Sequence, residues 1–209
     1  NVFRPYGPST GRQWLNTVNI DEVLEQYENT YSDFKYLGTM PRDFQDYSDL
    51  SQSKDFYKEL VNNGKTKMGM VYNTDKLGES GEHWNALFVD FNKNHVYFFD
   101  SYGVDPNKET MEHMKLLEDI MKEICKDGST VETDINHNRL MDGSSKEKCG
   151  IIQKKVNDQR HQFKGSECGV YSINFIERML NGDNFEDISK SKIPDDEINK
   201  KRNISLFVV

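Results

Sequence analysis

Three short apolar stretches in the middle of the chain constrain its fold more than any other feature. They cover residues 68–73, 84–91 and 96–100, are rich in Val, Phe and Tyr, and are separated by polar or glycine-containing turns. Stretches of this kind predict β-strands, and the short turn Asn92-Lys93-Asn94 predicts that the second and third form a hairpin. Because residues 87–89 are all apolar, we expect that strand to be covered on both faces.

Helical periodicity surrounds these strands. Asn19 is expected to cap a helix, Asp105-Pro106 to start another with Pro in its first turn, and an apolar face including Met111 and Met114 to pack in the core. We predict further helices at 55–62, 168–181 and 195–201, further strands at 130–135, 150–156 and 204–209, and irregular structure with one helical turn at 31–50. The pattern as a whole predicts an α+β fold with a central sheet flanked by helices.

Length and composition narrow the class of protein. A chain of 209 residues fits one domain, 1–209, in which the Pro- and Gly-rich residues 1–12 are expected to form a loose lead-in. The net charge of −8 argues against nucleic acid as a partner. No stretch approaches the ~20 apolar residues that span a bilayer, so we expect no membrane partner.

The cysteines carry a separate expectation. Cys125, Cys149 and Cys168 are widely spaced and odd in number, with no paired-His spacing, so neither a metal site nor a disulfide framework is predicted. Few disulfides are typical of a reducing compartment, and we therefore expect a cytoplasmic protein.

Cys168 lies where a polar loop turns into an apolar helical stretch. The unpaired N–H groups and partial positive charge at a helix N-terminus favour the thiolate, which is the reactive form of cysteine. His83 precedes one strand of the hairpin and Asp100 ends the other, so antiparallel pairing would bring them together. These residues predict a cysteine hydrolase in which Cys168 is the nucleophile, His83 the acid and base, Asp100 its orienting group, and the Gln162 amide an oxyanion donor.

Combined in chain order, these elements resemble a known family. His83-Trp84, Asp100-Ser101-Tyr102-Gly103 and Gln162-x5-Cys168-Gly169-Val170-Tyr171 are similar to the clan of ubiquitin-like-protein (SUMO) proteases and adenovirus protease. Over nearly the whole chain, motifs such as Asn73-Thr74-Asp75 and Arg160-His161-Gln162 are similar to the African swine fever virus-type polyprotein proteases of large DNA viruses. Asp100 departs from the Asn of that type and is the residue more common in the clan.

The resemblance implies a papain-like cysteine protease core with a mixed sheet and no cofactor. It implies cleavage after Gly-Gly-type sequences in viral structural polyproteins, in the host cytoplasm or the virion. Trp84, Trp14 and Gly169 are then candidate substrate-binding residues, because an aromatic roof over a narrow slot admits only a backbone without Cβ. Trp84 is equally well interpreted as a core residue.

Alternative functions remain open at this point. The closest is a deubiquitinase or deSUMOylase, since ubiquitin-like modifiers also end in Gly-Gly. An acetyltransferase would need a strongly basic pocket, which the acidic composition disfavours. A non-catalytic binding module is disfavoured because all four catalytic positions hold competent residue types.

Overall fold

The computed structural model describes residues 4–48, 53–126 and 150–208. The predicted strand at 130–135 lies outside them. The described part of the chain forms a five-stranded sheet, and its strands are β1 (Phe34–Met40), β2 (Lys67–Asn73), β3 (Trp84–Asp90), β4 (His95–Asp100) and β5 (Gln153–Val156).

The sheet is mixed and follows chain order from β1 to β5. β1 is parallel to β2 and β5 is parallel to β4, whereas β2, β3 and β4 pair antiparallel. The predicted hairpin is confirmed, with Asn85 opposite Asp100 and Asp90 opposite His95. Every residue of β3 is buried, as its continuous apolar stretch predicts.

Helices cover both faces of the sheet. They are α1 (Thr17–Gln26), α2 (Lys54–Asn62), α3 (Lys108–Lys126), α4 (Cys168–Leu180), α5 (Phe185–Lys190) and α6 (Asp195–Lys201). Ala86 and Phe88 of β3 belong to the core with α1 and α4, while Leu87 and Val89 belong to the core with α2 and α3. The α+β class is confirmed, and the central strand separates two apolar cores.

Two stretches differ from the expected structure. Residues 31–50, expected to be irregular, contain β1 as well as one 3-10 turn, Phe44–Asp46. The strand was missed because its pairing with β2 shifts register between Tyr36 and Thr39, at Gly38 with φ +108°, which disturbs the two-residue period. The tail is not a strand either: Arg202–Leu206 forms a π-helical turn after α6, and Val208 alone pairs with Tyr6.

The helix boundaries also differ in detail. α1 begins earlier than predicted, because Asn16 and Asn19 exchange hydrogen bonds in a capping box. α3 begins at Lys108 rather than Pro106, with Asn107 Oδ1 accepting from Thr110 N at 2.9 Å. Met111 is exposed rather than packed in the core. The short helix α5 was not predicted.

Residues 4–12, the described part of the lead-in, are held by hydrogen bonds rather than loose. Arg4 donates to the carbonyls of Asn203 and Ile204, and Asn199 Nδ2 donates to Gly11 O at 2.9 Å. Cys125 is disulfide-bonded, which the cysteine spacing did not predict, whereas Cys168 is free. No helix in the described ranges is long and apolar enough to cross a membrane.

Candidate active site

His83 and Asp100 meet at one end of the sheet. Residue 83 immediately precedes β3, and Asp100 is the last residue of β4, so the antiparallel register brings the two side chains together. Nε2 of His83 lies 2.9 Å from Oδ2 of Asp100, and both side chains are buried. The second carboxylate oxygen accepts from Tyr102 N at 2.6 Å. The carboxylate is therefore fixed on both oxygens.

Cys168 is the first residue of α4 and is buried next to His83. Nδ1 of the imidazole has no well-aligned hydrogen bond among the described residues. The thiol of Cys168 is nevertheless close enough to raise the pKa of His83. Burial alone would lower the pKa of His83. The hydrogen bond to Asp100 and the neighbouring Cys168 outweigh burial and raise that pKa from 6.5 to about 9. The site thus stabilises an imidazolium beside the sulfur.

Gln162 is buried and held by two hydrogen bonds. Its Oε1 accepts from Ser101 Oγ at 2.7 Å, and its Nε2 donates to Lys164 O at 2.7 Å. One of the two amide hydrogens is thereby committed, and the other is not involved in that bond. This side chain lies in the loop before Cys168, and its role as an oxyanion donor stays a prediction.

The predicted substrate-binding residues are divided between two positions. Trp84 and Trp14 line a cleft of about 480 Å³ together with the 75–81 loop. Trp84 is only 8% exposed and its Nε1 donates to Leu15 O at 2.8 Å, whereas Trp14 is 52% exposed. Gly169 does not line this cleft; a Cβ there would meet Leu15 Cβ at 3.0 Å. The glycine permits α4 to approach the segment that holds Trp84.

Sequence reasoning missed the charges beneath the Cys168 loop. Glu167 is fully buried and pairs with Arg12, which also reaches Asp196. Arg202 is fully buried too, and its Nη2 donates to Ser166 O at 3.0 Å. Burial lowers the pKa of Arg202, and Glu167 opposes that effect. No local pattern marks these contacts, because Arg12 and Glu167 are 155 residues apart.

A second omission concerns the ring beside the imidazole. Tyr102 stacks on His83 with ring centroids 4.3 Å apart and planes at 17°. Tyr102 belongs to the Asp100-Ser101-Tyr102-Gly103 motif, in which the sequence analysis assigns a catalytic role to Asp100 alone. Among the described residues, no cluster of three or more His, Cys, Asp or Glu side chains is placed to hold a metal ion.

Such an arrangement of thiol, imidazole and carboxylate is characteristic of cysteine proteases. Comparison with known proteins gives the same class. Residues 44–206 match the Ulp1 protease family, C-terminal catalytic domain, and the chain belongs to this family. The sequence-based assignment to the SUMO-protease clan is confirmed.

Viral proteases are among its relatives. The chain is 34% identical over 203 residues to a candidate thiol protease of Acanthamoeba polyphaga mimivirus, covering 97% of this chain and 60% of that protein. It is 25% identical over 214 residues to a SUMO-1 cysteine protease of African swine fever virus, covering 96% of this chain and 70% of that protein. The chain therefore spans less than two thirds of the mimivirus relative.

Solved structures show the same fold. The crystal structure of the African swine fever virus protease superimposes with a TM-score of 0.76 at 23% identity, covering 99% of this chain and 72% of that one. The Ulp1 protease domain in complex with Smt3, the yeast orthologue of SUMO, gives a TM-score of 0.54 at 16% identity, covering 93% of this chain and 79% of that one. Both contain the mixed sheet flanked by helices that the sequence predicts.

Proposed function

We propose that the chain is a thiol endopeptidase that cleaves after Gly-Gly-type sequences in viral structural polyproteins. The observation that carries the proposal is the placement of His83 between Asp100 and Cys168, in a member of the Ulp1 protease family. The mimivirus and African swine fever virus relatives support a viral source. A site of action in the host cytoplasm or the virion follows from that source and remains a prediction.

The proposed reaction begins with the sulfur of Cys168. The thiolate attacks the carbonyl carbon of the scissile bond, a C–S bond forms, and the carbonyl oxygen takes the negative charge. The free amide hydrogen of Gln162 and the backbone N–H of Cys168 are its proposed donors, and loss of one such donor typically costs about 100-fold or more in rate. His83 then gives its proton to the leaving amine as the C–N bond breaks.

The second half regenerates the enzyme. Water attacks the thioester while His83 accepts one of its protons, the C–S bond breaks, and the acid product leaves with Cys168 again a thiolate. Asp100 stabilises the imidazolium each time it forms, because its carboxylate is fixed 2.9 Å from Nε2. No metal takes part in this scheme.

The proposed Gly-Gly preference depends on the cleft beside Trp84. The indole is fixed by its hydrogen bond to Leu15, and Trp14 lines the same cleft. Since a rigid ring cannot move aside for a Cβ, glycine is favoured beside the indole of Trp84. Trp84 and Trp14 are therefore the proposed substrate-binding residues, whereas Gly169 acts through packing against Leu15.

The family match favours a second candidate function on the same chemistry. A deubiquitinase or deSUMOylase would remove a modifier whose tail ends in Gly-Gly, and the related Ulp1 is named a SUMO protease. The two candidates differ in substrate and share the catalytic residues. A modifier requires a broad docking surface, whereas a polyprotein site requires an extended segment.

One experiment tests both candidates. The protein is treated with a peptide ending in Gly-Gly and an electrophile, with a matched Ala-Ala peptide, and with ubiquitin and SUMO probes. We expect an adduct on Cys168 from the Gly-Gly peptide, about ten times less from Ala-Ala, and none in Cys168→Ser. Reaction with a modifier probe but not with peptides would contradict the polyprotein proposal, and labelling of another residue would contradict the site.

A further inference from the structure

A stack of side chains runs from His83 toward the surface. Tyr102 lies face to face with the imidazole, the guanidinium of Arg160 lies 5.0 Å from the centre of the Tyr102 ring, and it also lies 5.1 Å from the centre of the Phe163 ring. None of these three residues lines the cleft beside Trp84. The stack and the cleft beside Trp84 are therefore lined by different residues.

The backbone beneath this stack is firmly held. Nε of Arg160 donates to Gln162 O at 2.7 Å, and the two N–H groups of residues 161–162 both donate to Ser101 O at 2.8 Å. Gly103 has φ +70°, and a Cβ there would lie 2.7 Å from the backbone of the facing loop. The turn after β4 and the loop before α4 thus form one preformed surface.

The outer end of the stack is apolar and positively charged. Phe163 is 67% exposed, and the ammonium of Lys192 lies 6.0 Å from the centre of its ring. Within the part of the chain that the structure describes, neither Arg160 nor Lys192 takes part in an ion pair, whereas Lys164 is paired with Asp196. Two unpaired cations next to an exposed ring contrast with a net charge of −8 for the chain.

The buried carboxylate of Asp195 behind Phe163 has hydrogen-bond partners on both oxygens. Oδ2 of Asp195 accepts from the backbone N–H groups of Phe163 and Lys164, and Oδ1 accepts from Tyr171 Oη at 3.1 Å. The cations Arg160 and Lys192 both lie beside the ring of Phe163, where they attract an incoming acidic side chain.

We propose that Arg160, Phe163 and Lys192 bind the substrate segment that follows the cleaved bond, and that they favour an acidic side chain there. The inference rests on the proposed protease function. Because His83 delivers a proton to the leaving amine, the leaving segment starts at the imidazole, on which Tyr102 stacks. The acyl segment occupies the Trp84 cleft. An acidic residue meets both cations and covers the exposed ring with its methylene groups.

The test uses two internally quenched Gly-Gly-X peptides that differ only in having Glu or Lys immediately after the cleaved bond. Two exposed cations predict that kcat/KM is about three- to tenfold higher for Glu at low salt, and that salt reduces this preference. The double variant Arg160→Gln, Lys192→Glu is expected to bring the ratio to about one. The ratio is taken within each protein, so a general loss of activity cancels.

Lys93→Glu is the matched control. It makes the same charge reversal as Lys192→Glu in the turn between β3 and β4, at the end of the sheet opposite His83, and should keep the wild-type ratio. Equal rates for the two peptides, or an unchanged ratio in the double variant, would overturn the inference. If the wild type cleaved neither peptide nor a Gly-Gly-aminocoumarin reporter, both the proposed protease function and this inference would fail. If it cleaved the reporter but showed no preference between the Glu and Lys peptides, only this inference would be overturned.

Discussion

Replacing Asp100 by Asn tests what keeps the imidazole of His83 charged. The substitution conserves the size of the side chain and removes its negative charge. Burial lowers the pKa of His83, and Asp100 is the first of the groups that raise it to about 9. Without the carboxylate the remaining balance shifts toward burial, so we expect the pKa to fall to its ordinary value of 6.5 or below.

The size of the effect follows from that change. With a pKa of about 9, His83 is protonated in roughly 97% of molecules at about pH 7.5, whereas a pKa of 6.5 leaves about 10% protonated. If attack requires the imidazolium beside the thiolate, kcat/KM at that pH falls about tenfold from this cause alone. The alkaline limb of the pH profile should move down by about two pH units or more.

The assay is kcat/KM for a Gly-Gly reporter across the range from about pH 5 to 10. Asp90→Asn is the matched control. Asp90 is as buried as Asp100, and it lies at the turn of the hairpin, at the end of the sheet away from His83. We expect the alkaline limb of this control to coincide with that of the wild type. An Asp100→Asn enzyme whose limb does not move would refute the assignment of Asp100 as the group that holds His83 charged.

Three further predictions follow from the same contacts. Because the folded-state pKa of His83 is raised to about 9, the contribution of this residue to stability is complete below pH 6.5 and is lost as pH rises through about 9. Urea titrations should show the free energy of unfolding fall by about 3 kcal/mol at most over that range. Arg12→Ala removes the ion pair of the buried carboxylate of Glu167, so the free energy of unfolding should drop by about 1–3 kcal/mol, and Arg12→Ala with Glu167→Gln should recover part of it. Trp84→Phe removes the hydrogen bond to Leu15 and should lower the free energy of unfolding by about 1 kcal/mol, measured the same way.

Local patterns predicted the part of the fold that carries the chemistry. β3 and β4 are joined by a short turn, so their composition and the antiparallel rule were enough to bring His83 and Asp100 to the same end of the sheet. The start of α4 at Cys168 is equally local, because an apolar helical period begins there. Each of these predictions depends on a stretch of no more than about twenty residues of sequence.

Contacts between distant segments could not be predicted in this way. β1 pairs with β2 across a long connection, and its bulge at Gly38 hides the alternation. The charge pair of Arg12 and Glu167 joins the lead-in to the loop before Cys168. The sequence around Arg12 does not show whether its guanidinium is paired, because exposed and paired arginines occur in similar sequence surroundings. The same holds for Glu167. Tertiary packing alone determines these contacts.

The packing of α4 on the sheet sets the distance between sulfur and imidazole, since Cys168 belongs to the helix and His83 adjoins the sheet. Gly69 of β2 leaves room for this packing: a Cβ there would lie 2.9 Å from the ring of Phe34 and 3.3 Å from Cδ1 of Ile176, two turns along α4. Gly69→Ala should therefore destabilise by about 1–3 kcal/mol and displace the helix.

We expect kcat/KM of Gly69→Ala to fall by about tenfold or more even where the protein remains folded, because a displacement of about 1 Å can cost two orders of magnitude in rate. Ile120→Val is the control, since Ile120 lies in the core on the opposite face of the sheet and its truncation costs about 0.5–1.5 kcal/mol. It should lower the urea midpoint and leave kcat/KM close to the wild-type value. Equal loss of activity in the two variants would mean that stability, rather than the position of α4, governs the rate.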